Sequence, residues 1–294
     1  MTPTLRTDNA ETFAVRYRSL VSRGPVTTLT VLPGETVVLE AIDPNAAPAT
    51  PGSAARPAAG RLTPLGDGRW AWTAPSVPGF YPIRVVAAGQ RDSVTIQAFV
   101  LVPYSRLQEG RGYVNGYRIG QYPSRVLRGR SIYRAPAGFV EVTRENENVL
   151  VSPHFRLKQF LCKQPGGYPK YVVLDERLLQ KLEYLLELAN ASGYPASTFH
   201  IMSGYRTPAY NHSLGNVPYS RHTWGAAADV FIDENHDSRM DDLNGDGRSD
   251  VRDAEALLAV FDTPEDRGGL GKYPPTAAHG PFVHVDVRDR RARW

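Results

Sequence analysis

The sequence predicts an all-β N-terminal region, a sandwich, followed by an α+β region. Three observations carry this expectation. Across residues 25–100, short runs rich in Val, Thr, Ile, Phe and Trp are cut by Pro-Gly and Gly-Asp-Gly turns. Across residues 175–191, leucines recur at helical spacing. Near the C-terminus, residues 282–287 (FVHVDV) alternate as a strand does. A chain of 294 residues can bury two modest cores. The expected layout is a β-rich domain over 1–102, a connector packed on a domain over 103–150, and the α+β domain over 151–294.

In the first region, residues 26–32 (VTTLTVL) read as a strand, Pro33-Gly34 as a turn, and residues 36–39 as the start of a second strand. Residues 42–60, rich in Ala, Pro and Gly, read as a loose loop. Gly66-Asp67-Gly68 turns into residues 69–73 (RWAWT), where Trp70 and Trp72 share one face. After Pro78-Gly79 come strands over 80–86 and 93–102. The pattern W-x-W … P-G-x-Y-x-I-x-V resembles bacterial immunoglobulin-like modules, which implies a spacer or packing domain. The tryptophans suit either a core or a surface on which sugars of a cell wall stack.

The connector contains GRGYVNGYRIG at 110–120. No Gly-Lys-Ser/Thr follows, so this is not a phosphate loop but an extended segment lying on one domain. Asp175 is placed to cap a helix running to residue 191, with Leu178, Leu182, Leu185 and Leu186 inward and Arg177, Lys181 and Glu187 toward water. Residues 190–193 stop it and 199–203 form a short strand. On the last strand, Val283, Val285 and Val287 share one face, His284 and Asp286 the other.

The charge balance, 34 basic against 30 acidic side chains, is too even and scattered for a nucleic-acid surface. The single cysteine, Cys162, excludes an intrachain disulfide and reads as a small buried residue. No run reaches the ~20 apolar residues that span a bilayer. Residues 1–17 lack the basic-then-apolar order of a secretory signal, which leaves export open.

The stretch SRHTWGAAAD, residues 220–229, is the most informative. Asp229 opens an apolar strand, Val230-Phe231-Ile232, and a carboxylate entering such surroundings needs a partner. A cation is one candidate. With His222 and His284 it would make an N/O ligand set suited to zinc with room for water. Taken by type alone, these histidines are equally at home as core or surface residues.

SRHTWGAAAD resembles the Ser-x-His-x-x-Gly-x-Ala-x-Asp signature of the D-alanyl-D-alanine carboxypeptidase family of zinc metallopeptidases, which includes dipeptidases and phage endolysins. FVHVDV is similar to the family's second signature, and SGYRTPAYN at 203–211 to its arginine-bearing segment. The ending RARW looks typical of one branch. The resemblance covers residues 150–294. It implies an α+β fold of the hedgehog/D-Ala-D-Ala peptidase type and zinc on His222, Asp229 and His284. It also implies peptidoglycan peptides as substrates, a periplasmic or extracellular place in the envelope, and Arg206 as the group holding an oxyanion or substrate carboxylate. Many members carry an acid three residues before the last zinc histidine, where this chain has Pro281. Other branches have a histidine five residues before it, matched here by His279, the candidate proton carrier. Asp286 is a further catalytic candidate, able to orient His284 or to face the substrate amine. A structural role is the alternative for each.

Between these signatures lies an acidic insert over 233–253. Asp242, Asn244, Asp246, Asp250 and Asp253 occupy positions 1, 3, 5, 9 and 12 of an EF-hand-like loop, with Gly247 at 6 and the Arg248 carbonyl at 7. Asp253 in place of Glu resembles dockerin-type loops. A structural Ca2+ is expected there; Asp233, Asn235 and Asp237 repeat the spacing with Ser238 in place of glycine. Two other readings compete with a zinc peptidase: a wall- or peptide-binding protein that keeps the fold, and a calcium-dependent scaffold.

Overall fold

The computed structural model describes residues 13–42, 52–90, 92–107 and 111–294. Residues 43–51 of the expected loop, the first twelve residues and Gly110 lie outside them. The chain divides into two compact units. The first holds residues up to 106 with 137–141 and 149–153; the second holds 107–136, 142–148 and 154–294.

In the first unit the strands are β1 (Ala14–Tyr17), β2 (Leu20–Ser22), β3 (Val26–Val31), β4 (Thr36–Ile42), β5 (Ala54–Pro57), β6 (Arg61–Gly66), β7 (Arg69–Thr73), β8 (Gly79–Phe80), β9 (Ile83–Val86) and β10 (Ser93–Val100). They form two sheets, ordered β2-β1-β4-β7-β6 and β3-β10-β9-β5, with β8 beside β10. Alternation decides which side chains turn inward: Val15, Leu39 and Trp72 from one sheet join Leu29, Ile83 and Ile96 from the other in one buried cluster. Trp70 and Trp72 belong to that cluster, and the Trp72 indole donates to the Ala59 carbonyl at 3.0 Å. Neither ring is therefore a surface platform for sugar.

One hairpin adds to the expected strands and two local expectations are corrected. A hairpin precedes residue 25, with Arg18 at φ 51 in its turn. Residues 54–57, expected as loop, pair with β9. The strand expected over 80–86 is broken at Tyr81-Pro82, because proline has no N–H for the ladder.

The second unit is built on β11 (His200–Ser203), β12 (Ala227–Phe231), β13 (Gly269–Tyr273), β14 (Phe282–Asp286) and β15 (Ala292–Arg293), in the order β11-β12-β14-β13-β15. All neighbours are antiparallel except β13 and β15. Helices α1 (Glu176–Ala191), α2 (Pro208–Ser213) and α3 (Val251–Phe261) accompany it. Asp175 caps α1, accepting from the Arg177 amide at 3.0 Å. Leu178, Leu182, Leu185 and Leu186 are buried as their spacing predicts.

Lys181 does not face water. It is 5% exposed, pairs with Asp266 at 2.7 Å and donates to the Arg267 and Asp286 carbonyls. Burial lowers its pKa, and Asp266 opposes that shift. Asp266 also binds Arg293 at 2.7 Å, which ties the C-terminal strand to α1. The leucine stripe cannot reveal this, since the partner lies 85 residues further along the chain.

Candidate metal centre

Asp229 on β12 and His284 on β14 are directly opposed across the ladder. Ser203 on β11 faces Asp229, and Gly271 on β13 faces His284, so the four form a row across the sheet. His222 comes from the turn Arg221–Trp224, which ends at Gly225 in the left-handed region, φ 60. Three bonds from the 113–136 segment grip this turn. The Tyr122 hydroxyl donates to the Thr223 carbonyl (2.8 Å), the Trp224 indole to Arg134 O (2.7 Å), and Arg221 to Ile132 O (2.6 Å). Residues 107–136 and 142–148 of the connector belong to the second unit, the former around an Asn115-Gly116 hairpin with both residues at positive φ, while 103–106, 137–141 and 149–150 belong to the first.

His284 Nδ1 lies 2.8 Å from Asp229 Oδ1. His222 Nε2 lies 3.2 Å from the same oxygen and 3.3 Å from His284 Nδ1. A tetrahedral zinc with bonds of about 2.0–2.1 Å holds its ligand atoms about 3.3 Å apart, so the triangle fits the ion after a slight expansion. Among the described residues, these are the three His, Cys, Asp or Glu side chains whose ligand atoms lie within 4.8 Å of one another.

Each ligand is oriented from behind. His222 Nδ1 donates to the Gly204 carbonyl at 2.7 Å, which leaves Nε2 free to coordinate. His284 turns Nε2 toward Asp286 at 3.3 Å and Nδ1 toward the centre. Asp229 Oδ2 accepts from Arg206 at 2.5 Å, while Arg206 Nε donates to the Ser203 hydroxyl at 2.8 Å. Burial pushes His222 toward its neutral, metal-competent form. For Asp229, burial works upward, but His222 and His284 outweigh it and hold the carboxyl well below the usual range. For His284, burial works downward and is outweighed by Asp229 and Asp286, so its pKa rises.

The ligands open onto a cleft of about 770 Å³ whose walls include Tyr133, Val217, Tyr219, Tyr273, Phe282 and Trp294. Arg206 and His279 also line it. His279 Nδ1 donates to the Gly280 carbonyl at 2.8 Å, and its ring meets Phe282 edge-on. Asp286 is fully buried, bound to Arg288 and the Gly269 amide, and does not line the cleft. Its contact is with His284, so it is placed to orient that ligand and not to face a substrate amine.

Trp294 was not anticipated as part of the site. Its ring lies 5.3 Å from that of His284, and its indole donates to the Tyr273 hydroxyl at 2.8 Å. Gly271 makes this possible: a Cβ there would lie 2.4 Å from the indole nitrogen. Nothing in the ending RARW gives such a contact away.

The acidic insert forms two like turns. Asp242 accepts from the amides of Gly245, Asp246 and Gly247, and Asp233 from those of Asp237 and Ser238. Ser238, at φ 65, takes the left-handed conformation that Gly247 takes at φ 80. Asn244 Oδ1 accepts from Asp246, and Asp246 from the Arg248 amide. Asp250 caps α3, and buried Asp253 accepts from the Leu243, Asn244 and Asp250 amides.

Fold and site together define a zinc metallopeptidase. A family profile described as Peptidase M15 matches residues 153–245, which carry His222 and Asp229. The chain thus contains a domain of the M15 zinc-peptidase type, with His284 supplied from beyond the matched span. No curated protein matches the chain. Among the described residues, no helix is long and apolar enough to cross a membrane.

Proposed function

We propose that the chain hydrolyses peptide bonds in peptidoglycan stem peptides, as a D-Ala-D-Ala carboxypeptidase-like enzyme or an endopeptidase, in the bacterial envelope. The observation that carries this reading is the ligand triangle opening onto the cleft, with His222 and Asp229 inside the Peptidase M15 match. His222, Asp229 and His284 would hold zinc, which supplies a polarised carbonyl and a water of lowered pKa. Arg206, beside Asp229 and lining the cleft, donates to the oxygen on which charge develops. His279, with Nδ1 engaged by Gly280, keeps Nε2 as a proton acceptor. Asp286 positions His284. The first unit acts as an immunoglobulin-like spacer.

Incubation of the zinc-loaded protein with defined muropeptides is expected to yield a new amine and a new carboxylate. No cleavage of any stem peptide tested would refute the proposal. His279→Ala is expected to lower kcat by about 10²–10⁴ while zinc content holds; unchanged turnover would remove His279 from the chemistry. Pro281, where many relatives carry an acid, favours a second reading as a wall-peptide binder. Saturable peptide binding by a wild type that turns nothing over would support it.

The twin turns of the insert support the proposal of structural calcium on Asp242, Asn244, Asp246, Arg248 O, Asp250 and Asp253. Calcium at a hundredfold excess over Kd is expected to stabilise the zinc-loaded protein by about 2.7 kcal/mol, several degrees in Tm. A calorimetric scan unmoved by calcium would exclude the site.

A further inference from the structure

A second cavity, of about 470 Å³, lies in the same unit as the metal centre, between the Asn115-Gly116 hairpin and the loop over 165–169. That volume falls in the range of small-molecule sites. Tyr117, Tyr168 and Tyr210 contribute rings, Asn115 and Gln164 planar amides. Among the described residues lining it, Arg118 is the one charged side chain. The Tyr117 hydroxyl is buried beside the Gln164 side chain and makes no well-formed hydrogen bond within the protein. The Gln164 amide beside it is engaged by the Thr207 hydroxyl (2.6 Å) and the Arg118 carbonyl (2.8 Å). A buried hydroxyl left unpaired is costly, and a ligand hydroxyl or amide reaching it removes that cost. Gly116 and Gly167 have open space where a Cβ would stand, so their backbone is bare to a ligand.

The Asn115 amide is engaged by the Tyr171 hydroxyl (2.8 Å), and the Arg144 guanidinium lies 4.3 Å over the Tyr168 ring. The rings of Tyr117 and Tyr210 and the bare backbone are therefore what the cavity offers, a lining that suits a polyhydroxylated, uncharged ring. It does not suit a phosphate or a metal ion. The cavity also adjoins the zinc cleft. Ala209, Tyr210 and Ser213 of α2 line it, while Leu214 and Asn216, just past the end of α2, line the cleft. Thr207, bound to Gln164, caps α2 and follows Arg206 in the chain.

We propose that this cavity is a saccharide subsite that takes an N-acetylated pyranose unit of the glycan whose peptide branches enter the cleft. The saccharide class follows from the lining; the choice of wall glycan rests on the proposed peptidase function.

The test uses the full chain, with Gly167→Leu and Tyr210→Ala as variants. Gly167 has an ordinary φ and open space about it, so leucine fills the cavity without strain. Titration calorimetry with the β-1,4-linked N-acetylglucosamine tetramer is expected to give saturable binding, weakened about tenfold in each variant. Cellotetraose is expected to bind more weakly. In turnover, Gly167→Leu is expected to raise KM for glycan-linked stem peptides and leave the free peptide unchanged. Absent binding by the wild type at millimolar ligand, or equal binding by the variants, would overturn the subsite. Equal affinity for the two tetramers would overturn its assignment to wall glycan. Tetramer binding without cleavage of any peptide would leave the subsite standing and defeat the peptidase reading alone.

Discussion

His284→Ala is expected to strip zinc from the protein and take turnover to background. The imidazole supplies one corner of a triangle with sides of 2.8–3.3 Å, and no other His, Cys, Asp or Glu among the described residues joins that cluster. Removing it leaves two ligands, one of which is already bound to Arg206. Losing a group that only orients a ligand costs about 10–100-fold in metal affinity. Asp286→Asn is therefore expected to fall within that range, and His284→Ala well beyond it. Metal analysis after dialysis, with turnover on the same samples, orders wild type, Asp286→Asn and His284→Ala. Full zinc retention by His284→Ala would move the metal elsewhere.

Gly225→Ala is expected to cost more than about 3 kcal/mol of stability. A Cβ at this position would lie 1.9 Å from the Val173 carbonyl oxygen and 2.4 Å from its carbon, both backbone atoms, and the residue sits at φ 60. Neither neighbour can swing aside as a side chain could. Gly193 makes the comparison: φ is 86 there, but a Cβ would meet nothing within 4 Å. Gly193→Ala is thus expected to cost only the left-handed penalty, about 1–2 kcal/mol. Urea unfolding of the two variants separates conformational strain from collision. If Gly225→Ala unfolds like wild type, the close approach to Val173 is wrong. Because Gly225 ends the turn that carries His222, any Gly225→Ala protein that folds is also expected to bind zinc poorly.

What could be read from the sequence was local. The α1 cap and leucine stripe, the alternation of β14, and the two spaced segments, one bearing His222 with Asp229 and the other His284, each state their own geometry within a few residues. What escaped depends on partners far along the chain. Lys181 looks like a surface lysine until Asp266 is brought beside it. Alternation puts Asp286 on the same side of the strand as His284, but cannot tell that Arg288 and the Gly269 amide enclose it. Trp294 becomes a cleft wall only because Gly271 makes room on a neighbouring strand. The connector's tyrosines read as linker composition, yet Tyr122 and Tyr133 pack on Trp224 and steady the His222 turn.

The opposition of Asp229 and His284 on antiparallel strands has a consequence for how the protein reaches its final state. Successive side chains leave a strand on opposite sides, so a pairing displaced by one residue would turn the imidazole away from the carboxylate. Such a misaligned chain could retain much of its ladder and its helices and still be unable to chelate. Uptake of zinc during refolding thus gauges strand alignment, a quantity to which far-ultraviolet dichroism is nearly blind.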